Sequence, residues 1–214
     1  VRLDYRANDD LFAVFAAGYN SADNIELTGL GAGLTQGWAL GYYQARFLYK
    51  DWFAQIYQNW SDAGDTFLLR NGDPIVDNSK MTAMQVQHSA SLGVRQDFTY
   101  GVDLLYTRPD TEGTVNGKNE DTDDIDEFGA YLQSETALTN MLDLVLALRY
   151  DDHNRIADGE ISPRAALVFK PSETQTVRLT YNRAFATPSS LNLSLDLRSS
   201  PDAFGIGAAF APTL

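Results

Sequence analysis

The feature that most constrains this chain is an alternation of apolar and polar side chains that recurs along most of its length. In residues 161–189, two alternating runs flank a polar break at 170–174, and only alternate positions are apolar. Successive side chains of a β-strand point to opposite faces, so such runs predict strands with two chemically different faces. Runs of this kind predict ten strands, at 1–6, 11–19, 37–49, 52–60, 84–95, 99–107, 127–138, 142–151, 162–170 and 176–185.

The connections between these strands alternate in length. Short turns are predicted at 8–10, 50–51, 96–98, 139–141 and 171–174, and long loops at 20–36, 61–83, 108–126 and 152–161. The connections of a Greek-key sandwich are not expected to alternate in length, because they join two sheets irregularly. An up-and-down barrel that crosses a membrane has tight turns on one side and long loops on the other. The uncharged stretch 27–45 is as long as a membrane helix, but its five glycines favour a loop leading into a strand at Trp38.

Three features favour a membrane barrel, with the apolar face toward lipid, over a soluble β-rich binding module. The strands are long enough to cross, which takes about 9–11 tilted residues. The long connections are polar. Aromatic residues lie near both strand ends, as in the girdles of membrane barrels: Tyr5, Tyr49, Trp52, Tyr100 and Phe169 by the short turns, and Tyr19, Trp38, Trp60, Tyr106, Phe128 and Tyr150 by the long loops. The predicted fold is therefore all-β, an antiparallel up-and-down transmembrane β-barrel with about ten strands visible.

Composition excludes several classes of function. Asp and Glu number 29 against 16 Lys and Arg, and a net charge of -13 argues against nucleic-acid binding. The chain has no cysteine and two histidines, so we predict no metal site and no cofactor. Asp151-Asp152-His153 would suit a complete ten-stranded outer-membrane hydrolase, but adjacent strand residues point to opposite faces. We therefore predict that the chain is not an enzyme. The acidic loop 109–126 lacks the ordered spacing of a calcium site and is interpreted as a solvated loop.

Several short segments carry a family resemblance. Ser-Pro-Arg at 162–164 opens a strand, the next strand ends in Tyr-Asn-Arg-Ala-Phe at 181–185, and Thr-Pro-Ser follows at 187–189. Gly-Ala-Tyr-Leu-Gln and Leu-Arg-Tyr-Asp lie within 127–153. Together these segments resemble the barrel of TonB-dependent outer-membrane receptors.

The resemblance implies a barrel of 22 strands that is plugged by an N-terminal domain. It implies a place in the bacterial outer membrane, in contact with lipid, and uptake of a scarce ligand, most often a ferric siderophore, with energy from TonB. The sequence shows no signal peptide, TonB-box segment, plug or closing C-terminal strand. We therefore expect residues 1–214 to be an internal part of one barrel domain.

Two sets of residues are candidates for ligand contact. In loop 61–83, apolar Phe67, Leu68 and Leu69 stand beside Arg70. They can bind a ligand that is partly apolar and partly anionic, such as a metal chelate, or they can anchor their own loop. A second set, expected to face the lumen, either contacts the plug and the ligand path or pairs across strands: Asp103, Glu135, Arg149, Arg164, Arg178 and Asn182. Siderophore, cobalamin, haem and sugar all remain compatible with these residues, and the two histidines make haem the less favoured.

Overall fold

The computed structural model describes residues 1–28 and 31–196. Strands β1–β4 span Arg2–Arg6, Leu11–Thr28, Gly31–Tyr49 and Trp52–Asp62, β5 spans Phe67–Leu68, β6–β8 span Lys80–Leu92, Gln96–Arg108 and Ile125–Thr139, and β9–β11 span Leu142–His153, Glu160–Ser172 and Gln175–Asn182. A 3₁₀ helix covers Gly117–Thr122, and a one-turn helix, α1, covers Ser190–Ser194.

The strands form one antiparallel up-and-down sheet in which each long strand pairs with its neighbours in the chain. The order is β1-β2-β3-β4-β6-β7-β8-β9-β10-β11, and β5 pairs with β3 off this path. All ten predicted strands are present, so the predicted fold class is confirmed, as an open sheet within the described residues. Among those residues, no helix has the length and apolar character needed to cross a membrane.

The predicted loop at 20–36 is wrong, because β2 and β3 continue as a hairpin that pairs as far as Thr28 and Gly31. These glycine-rich residues lack apolar alternation, and their pairing comes from β2 on one side and β5 on the other. A β-bulge interrupts the ladder where Gly37 has a φ of +70°. Gly64, with a φ of +57°, lies so close to β3 that a Cβ would come within 2.4 Å of the Gln36 carbonyl oxygen.

The predicted turn at 96–98 is also displaced. The turn lies at residues 93–95, and β7 begins at Gln96. Gly93 supplies the left-handed backbone that the turn needs, with a φ of +68°. Val94 continues the apolar alternation in the sequence, but it lies in the turn and is 99% exposed. The other short turns, and the long loops at 63–79 and 109–124, lie where the sequence predicts them, and the remaining loop shrinks to 154–159.

The register separates the two faces as predicted. On the apolar face Leu146 lies opposite Ala165, and Leu167 lies between Leu144 and Leu179. The sheet is a single layer here, so Leu146 is 48% exposed and Leu179 73% exposed. An apolar belt of this extent is covered by another apolar surface in a stable protein, and a lipid bilayer supplies one.

Aromatic side chains cluster on the apolar face at both ends of the strands. Near the short turns, the His88 ring stacks on Trp52 with centroids 4.2 Å apart, and its Nδ1 lies 2.8 Å from the Tyr100 hydroxyl. Near the long loops, Tyr19 and Trp60 pack 5.9 Å apart. These contacts lie at the two depths expected for lipid headgroups.

Candidate functional site

The polar face carries an ionic network that joins three strands. Arg149 on β9 donates from Nη1 to Asp103 Oδ2 on β7, at 2.5 Å. It also donates from Nε to Asp151 Oδ1 at 2.8 Å, and its Nη2 lies 2.6 Å from the same oxygen. Tyr131 on β8 stacks near the guanidinium, 5.8 Å from ring centre to Cζ, and donates its hydroxyl to Gln87 Oε1 at 2.9 Å. One cation therefore holds two carboxylates on strands that are not neighbours.

Two glycines make this network possible. Gly129 lies between Asp103 and Asp151 in the register, and a Cβ there would come within 2.1 Å of Arg149 Nη2. The arginine can lie flat across β8 only because residue 129 has no side chain. Gly101 leaves the same space for the Tyr131 ring, whose hydroxyl would be 2.6 Å from a Cβ at that position.

The network forms one wall of a cleft on this face, of about 390 Å³. Asp103, Arg149 and Asp151 line it together with Glu127 and His153. Its apolar lining includes Leu105, Ile156 and Phe185. Its position at the ends of β7, β8 and β9 places it on the side of the long loops. Sequence analysis did not identify Glu127, Tyr131 or Phe185 as members of a site, although a glycine opposite large polar residues can indicate such a wall.

The other residues expected to face the lumen share the polar face but do not join this network. Arg164 lies directly opposite Asn182, and Arg178 lies opposite Val168. Within 1–28 and 31–196, neither arginine forms an ion pair. Glu135 is exposed and lies opposite Asp97 and Val145.

The residues Asp151-Asp152-His153 do not converge. Asp151 pairs with Arg149 on the polar face, whereas Asp152 lies opposite Phe128 on the other face. His153 is 6% exposed, and its Nδ1 accepts a hydrogen bond from the Arg155 backbone N–H at 3.0 Å. A general base needs its partners within hydrogen-bonding reach. These three residues are a strand end, as their alternation predicts.

The loop residues Phe67–Arg70 divide into an inner and an outer pair. Phe67 and Leu68 form β5 and pair with Leu34 and Gly33, and Leu68 is 7% exposed. These two residues anchor their own loop. Leu69 is 46% exposed and Arg70 is exposed, so this pair is available to a ligand.

The loop at 109–124 is folded and is bonded to the loop at 63–79. The Val76 backbone N–H donates to Thr114 Oγ1 at 2.9 Å, and the Asn78 N–H donates to the Asp110 carbonyl at 2.7 Å. On its other side the Asn119 amide donates to the Ser194 carbonyl at 3.1 Å. The two loops and α1 therefore form one structural unit.

Two carboxylates hold loop 109–124 together. Glu120 accepts hydrogen bonds from the Thr111 backbone N–H and hydroxyl, and Asp123 accepts one from the Asn116 amide at 2.6 Å. Burial acts to raise the pKa of Glu120, but the hydrogen bonds from Thr111 and from the backbone of Glu112 and Gly113 together outweigh it, and the pKa lies below its ordinary value. Burial raises the pKa of Asp123, against the bond from Asn116. No group of three or more metal-ligating side chains forms a metal site in the part of the chain that the structure describes.

An open antiparallel sheet with one exposed apolar face and one hydrogen-bonded polar face defines the class of protein as the wall of a membrane β-barrel. Residues 2–213 match the family model "TonB dependent receptor-like, beta-barrel". Among solved structures, the crystal structure of the ferric enterobactin receptor in complex with BCV-L6 superposes with a TM-score of 0.61. Its sequence is 15% identical, and the alignment covers 87% of this chain and 33% of that one. A search of curated proteins found no match.

The chain belongs to the TonB-dependent receptor family, within its β-barrel domain. This confirms the resemblance seen at residues 127–189 and extends it over nearly the whole chain. It is a family of receptors, not of enzymes, so the prediction that the chain is not an enzyme is confirmed. The chain spans about a third of the length of the solved receptor that it matches.

Proposed function

We propose that this chain forms part of the barrel wall of an outer-membrane receptor that takes up a ferric siderophore with energy supplied through TonB. The main support for this proposal comes from the polar face, where Arg149 forms ion pairs with Asp103 and Asp151 beside a cleft of about 390 Å³. A hydrogen-bonded wall with a cleft, behind an exposed apolar belt, suits a protein that passes a polar ligand through a membrane.

Each surface has a partner in this proposal. The apolar face contacts outer-membrane lipid, and the polar face contacts the lumen, where it meets the ligand and the receptor's own plug domain. Arg164 and Arg178, which have no ionic partner among the described residues, are free to pair with groups inside the barrel. TonB acts on a part of the protein outside this chain.

Leu69 and Arg70 are proposed as the loop residues that meet the ligand. They are exposed at the tip of a loop whose base is fixed by β5 and by the bonds from Val76 and Asn78. A fixed base lowers the entropy lost when a ligand binds to the tip. An apolar side chain beside a cation suits a chelate that has both apolar and anionic parts.

The test uses the full-length receptor in detergent and two probes, ferric enterobactin and ferrioxamine B. The double variant Leu69→Ser, Arg70→Gln should weaken binding of whichever probe binds, by about tenfold. The matched control is Val94→Ser, Arg95→Gln, which removes an exposed apolar residue and an adjacent arginine from a turn at the other end of the sheet.

The control should bind the probe like the unaltered receptor, and both variants should show the heat-modifiable gel mobility of an assembled barrel. Unchanged binding in the Leu69, Arg70 variant would remove this loop tip from the site. Failure of the unaltered receptor to bind any ferric chelate would refute the proposed function.

A further inference from the structure

The charge on the long loops opposes a strongly anionic ligand. Residues 109–124 include six carboxylates and one lysine, and residues 63–79 include three carboxylates and one arginine. Glu112, Asp121 and Asp124 are exposed. A surface of one sign attracts ligands of the opposite sign and repels those of its own. The loops therefore favour the approach of a neutral or cationic ligand.

The cleft has the same excess of negative charge. Arg149 is the only lysine or arginine among the described residues that line it, and it is already bonded to both Asp103 and Asp151. Glu127 lines the cleft, is half-buried, and forms no hydrogen bond or ion pair through its carboxylate with any residue of 1–28 or 31–196. A cation that enters the cleft would therefore pair with this carboxylate.

Two buried polar atoms beside Glu127 also lack partners. His153 lies directly opposite Glu127 in the register and is 6% exposed. Its Nδ1 accepts a hydrogen bond, so the neutral ring carries its proton on Nε2, which has no partner. Asp103 Oδ1 has none either. Buried polar groups are nearly always paired, so this unused donor and this unused acceptor are positions in the cleft at which a polar ligand group can bind.

We propose, on the basis of the proposed receptor function, that this cleft binds a protonated amine of the transported ligand. Glu127 contacts the ammonium group directly, and Asp103 and Asp151 together outweigh the charge of Arg149, so the network beside the ammonium group is net negative. His153 Nε2 donates to a neighbouring ligand oxygen after a small movement of the lining side chains. Phe185 and Ile156 contact the methylene chain that carries the amine. The receptor therefore selects neutral or positively charged ferric chelates over strongly anionic ones, while Arg70 meets the chelating oxygens.

The test compares two probes that differ in one charge. Ferrioxamine B carries a pendant ammonium group, and N-acetylferrioxamine B has an amide in its place. The unaltered full-length receptor should bind ferrioxamine B about tenfold more tightly, since one charge-assisted contact has about that value. Glu127→Gln should abolish the preference by weakening only the binding of ferrioxamine B. Asp103→Asn should reduce the preference in the same sense.

The matched control is Asp97→Asn, on the same strand and face as Asp103 but six residues nearer the short turns. It should keep the tenfold preference, which excludes a simple effect of net charge. Heat-modifiable mobility checks that every variant assembles.

Equal affinity of the unaltered receptor for the two ferrioxamines, or tighter binding of ferric enterobactin, would overturn this inference and leave the receptor function intact. No binding of any of the three chelates would overturn the receptor function together with the inference. If Glu127→Gln lowers thermal stability and leaves both affinities unchanged, the cleft holds a basic side chain of the protein itself, which also overturns the inference.

Discussion

An arginine placed on the apolar face at mid-strand tests which side of the sheet meets lipid. Leu146 is the fifth residue of β9, lies between Ser134 and Ala165 and is 48% exposed. In the full-length receptor Leu146→Arg would put a guanidinium in the hydrocarbon, at a cost of roughly 2–4 kcal/mol. This corresponds to a loss of roughly 30- to 900-fold in the folding equilibrium.

The neighbouring position supplies the matched comparison. Ala147 points to the polar face, between Gln133 and Arg164. An arginine there faces water but lies directly opposite Arg164, and like charges in that position cost about 0.2–1 kcal/mol. Ala147→Glu should cost less still, because its carboxylate lies opposite the same arginine.

The assay is urea unfolding of the receptor in lipid vesicles, followed by tryptophan fluorescence, with heat-modifiable mobility as a measure of assembly. Leu146→Arg should lose at least 1 kcal/mol more than Ala147→Arg, given the two ranges above. Equal losses in the two arginine variants, or a larger loss at Ala147, would refute the assignment of the apolar face to lipid.

Arg149→Met leaves two carboxylates without their cation and should lower the free energy of unfolding by about 1–3 kcal/mol in the same assay. Arg164→Met should lower it less, because Arg164 has no ion pair among the described residues. Equal losses in the two variants would contradict the stabilising role of the ionic network. Because the pKa of Glu120 is lowered, its bonds stabilise loop 109–124 above the ordinary glutamate pKa and are lost as the pH falls through the lowered value. The hydrogen-exchange protection factors of that loop should decrease as the pH is lowered, and Glu120→Gln should make them less dependent on pH. A pH dependence that is the same in the Glu120→Gln variant would show that this carboxylate does not stabilise the loop. Residues 1–214 expressed alone should not give a monodisperse monomer without detergent, because the open edges and the apolar belt remain exposed; a cooperatively melting soluble monomer in light-scattering chromatography would contradict this.

The strands were predictable because one face of each is apolar, and a period-two pattern survives wherever a face contacts an apolar surface. The β2–β3 extension was not, since Gly31, Gly33 and Gly37 carry no such pattern. The strand that pairs with Gly33 on the other side, β5, is more than 30 positions away in the sequence. The turn at 93–95 was missed because Val94 continues the alternation, and only the backbone at Gly93 marks the turn.

The sequence predicts which face of the sheet carries the candidate site, but it does not predict the contacts within the site. Alternation places Asp103 and Arg149 on the polar side, yet their ion pair spans 46 positions and crosses an intervening strand. It depends on the register of three strands and on the missing side chain of Gly129. Register is set by turns and bulges, which the sequence located less accurately than the strands.

A receptor that contains this wall should import a ferric chelate into the cell. Uptake of radioactive iron by iron-starved cells measures this, in a strain that lacks the gene and in the same strain with the full-length receptor restored. Uptake of ferrioxamine B iron should appear only when the receptor is present, and it should stop when an uncoupler removes the proton-motive force on which TonB-driven transport depends. Equal uptake with and without the receptor, or uptake that an uncoupler leaves unchanged, would contradict the account.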